Sequence, residues 1–372
     1  MLKKLALGEH IRVNQPLAWD VLTDRGTLLL RKGFVPTNPW QVEALIKRGA
    51  YVDEEAFNRH SSTSPAEPEP VAATLFEQWD DISFRLNGLL RRHQTEPQFV
   101  DKLTQLSTGI MSLVDQGQDV ALFVMLRLDT SNNYPVAHAL QVAVLCDVYG
   151  RFMNWDPADR LALVNAALTM NITILDLQLI LLRQLEPLSL EQREAIRNHP
   201  TAARERLEAL GVIDPVWLNL VAQHHETSDG RGYPLGLQAV APAAEVLNVT
   251  DRYLAMTSWR YDREPKLANA AARELYVVTA GSTQEAVARL IKAFGLYPPG
   301  TFVRLANGEI AVVVARGGHA NKPRVATMIG AQGVKLQDPI PRDSAQPEFA
   351  ISGAMSNDDC AIYLDPIKLF GA

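Results

Sequence analysis

The chain has 372 residues, a formal net charge of −6 and an isoelectric point near 5.8. A hydrophobic content of 47% argues against global disorder, and the acidic balance argues against a broad basic surface for nucleic acid. The two cysteines cannot form a disulfide framework, and the sequence has no long uncharged apolar run typical of a membrane span. We therefore expect a cytoplasmic protein with two to three domains of about 100–200 residues each.

Residues 1–57 predict a small N-terminal α+β domain. Residues 17–35 have the pattern of two strands joined by a turn at Asp24, Arg25 and Gly26. Residues 39–52 predict a short helix that ends at Gly49, followed by another strand-like piece. Residues 58–72 are rich in Ser, Pro and Glu, and this composition predicts a linker.

Residues 73–294 predict helices, because apolar residues recur there at spacings of three and four. We divide them into a helical connector, 73–130, and a helical domain, 131–294. The stretch "DRLALVNAALTMNITILDLQLILL" continues one helical pattern without a break. Pro200 suits the first position of a helix, which would put His199 at a junction between two helices.

Residues 295–372 predict a small β-rich C-terminal domain. Asn307 and Gly308 lie between two runs of β-branched or apolar residues, which is a strong hairpin pattern. "PRVATMIG" and "AIYLDPIKLF" predict further strands.

Five residues of the helical domain could bind a metal. They are His138, near the start of an amphipathic helix, His199, the adjacent pair His224 and His225, and Asp251. Imidazole and carboxylate are ligands that first-row divalent metals prefer, and separate helices of a bundle can direct them to one point. The alternative is that the histidines are hydrogen-bonded core residues or mark helix boundaries.

A candidate ligand loop directly follows the paired histidines. Two glycines permit positive φ and close backbone approach, and the proline stiffens the exit. Exposed backbone amides and an arginine could bind a phosphate, although an ordinary tight turn would have the same composition. The six residues of this loop are Asp229, Gly230, Arg231, Gly232, Tyr233 and Pro234.

Three stretches in this order resemble the HD-GYP family of bacterial metal-dependent phosphodiesterases that hydrolyse cyclic di-GMP. They are "NHP" at 198–200, "HHETSDGRGYP" at 224–234 and "VTDRYLAMTSWRY" at 249–261, and the resemblance covers about residues 130–290. It implies a mainly α fold, an HD-type helical bundle, here flanked by the small α+β and β-rich domains. It also implies metal ligands at His138, His199, His224, His225 and Asp251, with Gly232, Tyr233 and Pro234 beside them.

The sequence departs from the family where a His-Asp pair is expected. The family has a stretch like "AALLHDIGK", and the ungapped counterpart at 166–174 reads "AALTMNITI". Met170, Asn171 and Ile174 occupy the His, Asp and Lys positions. A neutral amide, a soft thioether and an alkyl group cannot replace a metal-bridging carboxylate, an imidazole and a phosphate-binding amine. The next acidic residue, Asp176, would be out of phase on a continuous helix.

We therefore expect no intact catalytic set, and either no metal or one Zn, Fe or Mn ion held by His199, His224 and His225. Two metals are not expected. The first interpretation is a catalytically impaired protein that senses a nucleotide such as cyclic di-GMP or docks signalling proteins such as diguanylate cyclases. The second is a metal-dependent cyclic di-GMP phosphodiesterase with an atypical mono- or dinuclear site. The third is a structural protein in which the terminal domains do the work. The oligomeric state stays open.

Overall fold

The computed structural model describes residues 2–4, 17, 19–23, 26, 28–33, 51–54, 75–128, 133–261, 263–356, 359–360, 362 and 364–370. The chain divides into two compact units, residues 1–81 and 82–372. Among the helices within these ranges, none is long and apolar enough to cross a membrane.

The first unit contains an antiparallel four-stranded sheet in the order β1-β4-β2-β3. Its strands are β1 (Leu2–Lys4), β2 (Val21–Leu22), β3 (Leu28–Leu30) and β4 (Tyr51–Asp53). Strands β2 and β3 pair as the sequence predicts, and Gly26 between them has a φ of 79°. The predicted helix at 39–49 and the predicted linker at 58–72 lie outside the described residues.

The predicted mainly helical fold is confirmed. Helix α1 (Leu75–Arg91) begins in the first unit and continues into the second. The further helices before the C-terminal sheet are α2 (Phe99–Gln116), α3 (Gln118–Arg127), α4 (Tyr134–Phe152), α5 (Pro157–Thr169), α6 (Leu175–Arg183), α7 (Leu190–Ala209), α8 (Pro215–Gln223), α9 (Pro242–Thr257), α10 (Ala268–Val278) and α11 (Gly281–Phe294).

Helix α4 is the central helix of the bundle, and the prediction that it is amphipathic is wrong. Every residue from Tyr134 to Gly150 is buried, as expected for a helix that is apolar on all sides. Asp147 is the one acidic residue in this stretch, and its carboxylate accepts hydrogen bonds from Arg151 and Arg160, each at 2.7 Å. Helices α5 and α9 pack against α4, which brings their polar residues close to it.

Helix α7 is continuous through Pro200, so the predicted helix junction at His199 is wrong. Proline has no amide hydrogen and leaves the carbonyl of Ile196, four residues earlier, without its helical donor. The Nδ1 atom of His199 lies 2.6 Å from that oxygen and donates to it. The histidine side chain therefore replaces the missing backbone hydrogen bond, and the helix continues.

The long helix predicted across "DRLALVNAALTMNITILDLQLILL" is two helices, because α5 ends at Thr169 and α6 begins at Leu175. Met170 to Ile174 form the turn between them, in which the amide of Ile174 donates to the carbonyl of Asn171 at 2.9 Å. Asp176 lies in the first turn of α6, where its side chain is 92% exposed and 3.9 Å from Arg91. It is thus directed to the surface rather than into the bundle.

The predicted small β-rich C-terminal region is confirmed as an antiparallel five-stranded sheet in the order β8-β7-β6-β5-β9. The strands are β5 (Phe302–Leu305), β6 (Ile310–Ala315), β7 (Arg324–Ile329), β8 (Lys335–Asp343) and β9 (Ile351–Met355). The predicted hairpin at Asn307 and Gly308 joins β5 and β6. The strand predicted across 361–370 is wrong, since Pro366–Phe370 is a short helix, α12, started by a proline at its first position.

The sheet packs against α3 within the second unit. Phe123 of α3 lies in one apolar cluster with Phe302 and Val312 of the sheet. Arg316, just after β6, donates at 2.6 Å to Asp119 at the start of α3 and at 2.8 Å to the carbonyl of Ala293. The C-terminal sheet is therefore attached to the helical bundle by both apolar and charged contacts.

Candidate metal centre and ligand loop

His199 of α7 and His224, directly after α8, face each other. Their Nε2 atoms are 2.9 Å apart, and both side chains are almost fully buried. Each Nδ1 atom donates to a backbone carbonyl at 2.6 Å, that of Ile196 for His199 and that of Val221 for His224. With their protons on Nδ1, both neutral rings present a lone pair at Nε2, and a cation between them would relieve the resulting repulsion.

His225 completes a three-histidine cluster. One ring nitrogen from each of His199, His224 and His225 lies within 4.8 Å of the others, as a shared metal ion requires. The ring of His225 stacks on Tyr233 of the candidate loop, with 4.6 Å between the ring centroids. The cluster and the loop therefore form one structural feature.

Burial keeps the three imidazoles neutral. Burial, with a smaller effect from His224, lowers the pKa of His199 to about 3. Burial also lowers the pKa of His224, and burial together with the neighbouring His224 lowers that of His225 well below its ordinary value. Because a neutral ring is the form that binds a metal, this environment suits a divalent cation.

His138 and Asp251 pair with each other across α4 and α9. The Nε2 atom of His138 donates to Oδ1 of Asp251 at 2.7 Å, and the ring of His138 stacks on Tyr134. Burial opposes ionisation of Asp251, but the hydrogen bond from His138 and the nearby His225 hold the pKa of its carboxyl well below its usual range. A partly buried carboxylate thus lies close to the histidine cluster.

Met170 and Asn171 lie at the end of α5 and are both buried, whereas Ile174 is partly exposed. The adjacent Thr169 accepts a hydrogen bond at 2.9 Å from Nε1 of Trp217 in α8, the helix that leads to His224. This bond holds the end of α5 against the element that carries the paired histidines. The side chains buried in the turn after α5 are thus the thioether of Met170 and the neutral amide of Asn171.

The loop is built around a close backbone approach. A Cβ atom at Gly232 would overlap the Cα atom of Glu226 and the amide nitrogen of Thr227, so glycine is required there. Glu226 is fully buried, and its carboxylate accepts from the amides of Leu235 at 2.6 Å and Leu237 at 3.0 Å. The Tyr233–Pro234 peptide bond is cis.

The charged residues of the loop are paired internally. Asp229 accepts from the hydroxyl of Thr227 at 2.7 Å, and its other oxygen accepts from Nε of Arg231 at 2.8 Å. These hydrogen bonds lower the pKa of Asp229 to about 2. The side chain of Arg231 is 81% exposed, so a phosphate could reach it but would compete with Asp229.

A cleft of about 540 Å³ separates the loop from the start of α11. Arg231, Arg252 and the hydroxyls of Ser228 and Ser282 line it. Both hydroxyls also donate to the buried Glu245 at 2.6 Å, which ties the loop to α11. The cleft has hydrogen-bonding groups and two arginines suited to a phosphorylated ligand.

Several polar residues at the site were missed by the sequence analysis. Glu226 organises the loop, and the side-chain amide of Asn248 donates to the carbonyl of His224 at 2.8 Å. Arg260 forms a hydrogen bond with Tyr134, the residue that stacks on His138, and its Nε atom is buried with no partner among the described residues. Arg260 belongs to the stretch "VTDRYLAMTSWRY", but the sequence pattern does not predict its contact with Tyr134.

The three histidines form a donor set that one divalent metal could share. The ring nitrogens of His199, His224 and His225 lie close together. The Nδ1–H bonds of His199 and His224 to backbone carbonyls fix the orientation of these two rings. His138 directs its Nε2 atom to Asp251, so this second pair satisfies itself. A cation at the cluster would add positive charge beside the loop and its cleft.

Comparisons with known proteins agree with these features. The HD domain family model matches residues 123–277. The chain is 29% identical over 226 residues to the cyclic di-GMP phosphodiesterase PA4108 of Pseudomonas aeruginosa, a match that covers 60% of this chain and 54% of that protein. It is 26% identical over 174 residues to the 3'3'-cGAMP-specific phosphodiesterase 3 of Vibrio cholerae, covering 46% of this chain and 38% of the relative. The matches thus span about half or less of these relatives.

A solved structure supports the fold. Bd1817, an HDG"Y"P protein from Bdellovibrio bacteriovorus, superposes with a TM-score of 0.52 at 17% identity, covering 78% of this chain and all of that one. Residues 123–277 are therefore similar to HD domain proteins, and the fold, with its helical bundle around the histidine cluster, is similar to that of an HD-GYP-type protein.

Proposed function

We propose that this chain is a catalytically impaired HD-GYP protein of bacterial cyclic di-GMP signalling that senses a nucleotide or docks a signalling protein such as a diguanylate cyclase. The observation that carries the proposal is the pair Met170 and Asn171, buried where the family resemblance has a His-Asp pair. The two relatives are named as phosphodiesterases of cyclic di-GMP and of 3'3'-cGAMP, which supports a cyclic dinucleotide as the ligand.

The loss of the His-Asp pair removes the groups that would hold a second metal. His199, His224 and His225 would hold one Zn, Fe or Mn ion, which would supply positive charge to phosphoryl oxygens. Asn171 carries no charge, and the thioether of Met170 is a soft donor. Efficient hydrolysis of a phosphodiester is therefore not expected from this set.

The loop retains the features that binding needs. Gly232 and Glu226 fix its backbone, and Tyr233 presents a ring next to the histidine cluster. Arg231 and Arg252 line the adjacent cleft and would attract the phosphates of a dinucleotide. We propose that a nucleotide binds here without being turned over, in a protein located in the cytoplasm.

An alternative is a metal-dependent cyclic di-GMP phosphodiesterase with an atypical site. The observation that favours it is the ionised Asp251, which lies near His224 and His225. If Asp251 turned from His138 towards the cluster, it would add a carboxylate to the three imidazoles. Such a four-residue set could hold a catalytic metal with a different geometry from that of the family.

Hydrolysis of cyclic di-GMP in the presence of Mn²⁺ or Fe²⁺ separates the two candidates. The proposal predicts no turnover above a protein-free control. Turnover that is lost in His224→Ala and kept in His319→Ala, a change at an exposed histidine, would support the phosphodiesterase instead. Calorimetric titration with cyclic di-GMP then tests sensing: binding without turnover supports it, and no binding at high micromolar nucleotide leaves only protein docking.

A further inference from the structure

A second cleft, of about 290 Å³, lies between the helical bundle and the C-terminal sheet. Helices α4 and α9 form one side, and residues at the start of β5 and the end of β9 form the other. Its lining includes no residue of the histidine cluster or of the candidate ligand loop. The proposed function does not account for this cleft.

The cleft contains a buried acceptor without a partner. Gln141 of α4 is 5% exposed, and its Nε2 atom donates to the carbonyl of Met125 at 2.7 Å. Its Oε1 atom is buried and has no hydrogen-bond partner among the described residues. A buried amide oxygen without a donor costs free energy, which a ligand N–H group would recover.

The neighbouring hydroxyls are also acceptors. Thr257 and Ser258 both donate their hydroxyl protons to the carbonyl of Leu254, at 3.2 and 2.8 Å. Their oxygens therefore offer lone pairs to the cleft. Together with Gln141, they make a wall that favours a ligand rich in N–H donors and disfavours an anion.

The remaining walls are apolar and aromatic, and they include Tyr253, Trp259 and Phe302. Flat aromatic walls favour a planar ring, since such rings stack at little entropic cost. Lys266 also lines the cleft and forms an ion pair with Glu274. Because Glu274 neutralises the charge of Lys266, this ion pair gives the cleft no net charge that would attract an ion.

We infer that this cleft binds an uncharged planar nitrogen heterocycle of nucleobase size that bears an amino group, which donates to Oε1 of Gln141. The ring lies against the aromatic walls, and its remaining edge faces the side of the C-terminal sheet. A carbonyl in place of the amino group would place its oxygen against Oε1 of Gln141, and two acceptors cannot form a hydrogen bond.

The cleft shares two helices with the metal centre. Gln141 lies three residues after His138 on α4, and Tyr253 lies two residues after Asp251 on α9. A ligand in the cleft therefore contacts the same helices that carry the His138–Asp251 pair. This places the site where an effector could act on the metal centre.

Ligand-observed NMR and calorimetric titration of the full chain with adenosine, cytidine, inosine and uridine test the inference. Adenosine or cytidine is expected to bind, and inosine and uridine, which have a carbonyl at the corresponding position, are expected to bind more weakly. Gln141→Leu should weaken binding roughly fivefold, the effect of losing one hydrogen bond of about 1 kcal/mol. Thr301→Trp should fill the cleft from the sheet side and abolish binding.

Two controls keep the test decisive. Thr108→Trp makes the same change on the exposed surface of α2, and it should bind like the unmodified chain. His319→Ala should also bind normally, because His319 is exposed and does not line the cleft. Absence of binding by all four nucleosides at millimolar concentration would overturn the inference. Binding that persists in Thr301→Trp, or that is lost in Thr108→Trp, would overturn it too.

Discussion

Replacing His199 with glutamine should reduce the dependence of folding stability on pH in the metal-free protein. Burial lowers the pKa of His199 to about 3, whereas an unfolded histidine has a pKa of about 6.5. Between these values the unfolded state binds a proton on this ring and the folded state does not. The stability that this neutral ring contributes to the folded state is therefore fully present above about pH 6.5. It is lost as the pH falls towards 3.

The magnitude follows from the same two values. Each pH unit below about 6.5 costs about 1.4 kcal/mol of unfolding free energy from this one ring. Between about pH 6.5 and pH 5 the loss amounts to about 2 kcal/mol. Solvent screening should reduce this free energy only slightly, because His199 is 2% exposed. The pKa values of His224 and His225 are lowered as well, so a residual slope should remain in the variant.

Urea unfolding in the presence of a chelator, at several pH values between about 5 and 7, measures this slope. His199→Gln should show a slope smaller than that of the unmodified chain by about 1 kcal/mol per pH unit on average over this range, and by about 1.4 kcal/mol per pH unit near pH 5. His319→Gln, at an exposed position, serves as the matched control and should leave the slope unchanged. Equal slopes in His199→Gln and the unmodified chain would refute the conclusion that the ring is buried and neutral.

Three further variants test the loop and the turn between α5 and α6. Gly232→Ala should displace the loop backbone, because the new methyl group overlaps two backbone atoms, and it should cost about 1–3 kcal/mol in thermal or urea unfolding. Glu226→Gln should weaken the two amide contacts that close the loop, visible as faster hydrogen exchange at the amides of residues 235 and 237; unchanged exchange would contradict the role given to this carboxylate. The triple change Met170→His, Asn171→Asp and Ile174→Lys should add metal-binding capacity and some hydrolysis of cyclic di-GMP, and no additional bound metal would show that the ungapped alignment or the site is wrong.

The sequence motifs predicted which residues form the site. They did not predict the local structure of these residues. His199 and Pro200 looked like a helix boundary because proline cannot donate a backbone hydrogen bond. The side chain of His199 supplies that bond to Ile196, so the helix continues and the opposite ring nitrogen faces the cluster. A side chain that substitutes for a backbone donor is a local tertiary effect, which the apolar pattern does not record.

The break between α5 and α6 was missed for a related reason. The apolar residues of "AALTMNITILDL" continue at helical spacing through the turn, because Met170 and Asn171 in the turn are themselves buried. Periodicity identified which residues are inside but not where the helix ends. Glu226 and Arg260 were missed because their partners, Leu235, Leu237 and Tyr134, depend on the path of a loop and on packing between helices.

The central claim is that this chain has a one-metal centre without the family's His-Asp pair. Metal analysis of protein purified without chelator tests it most directly, with His224→Ala and His319→Ala purified in parallel. The account predicts at most one tightly held divalent ion per chain, lost in His224→Ala and retained in His319→Ala if it is present. Two tightly held ions per chain, or an ion that survives removal of His224, would contradict the account.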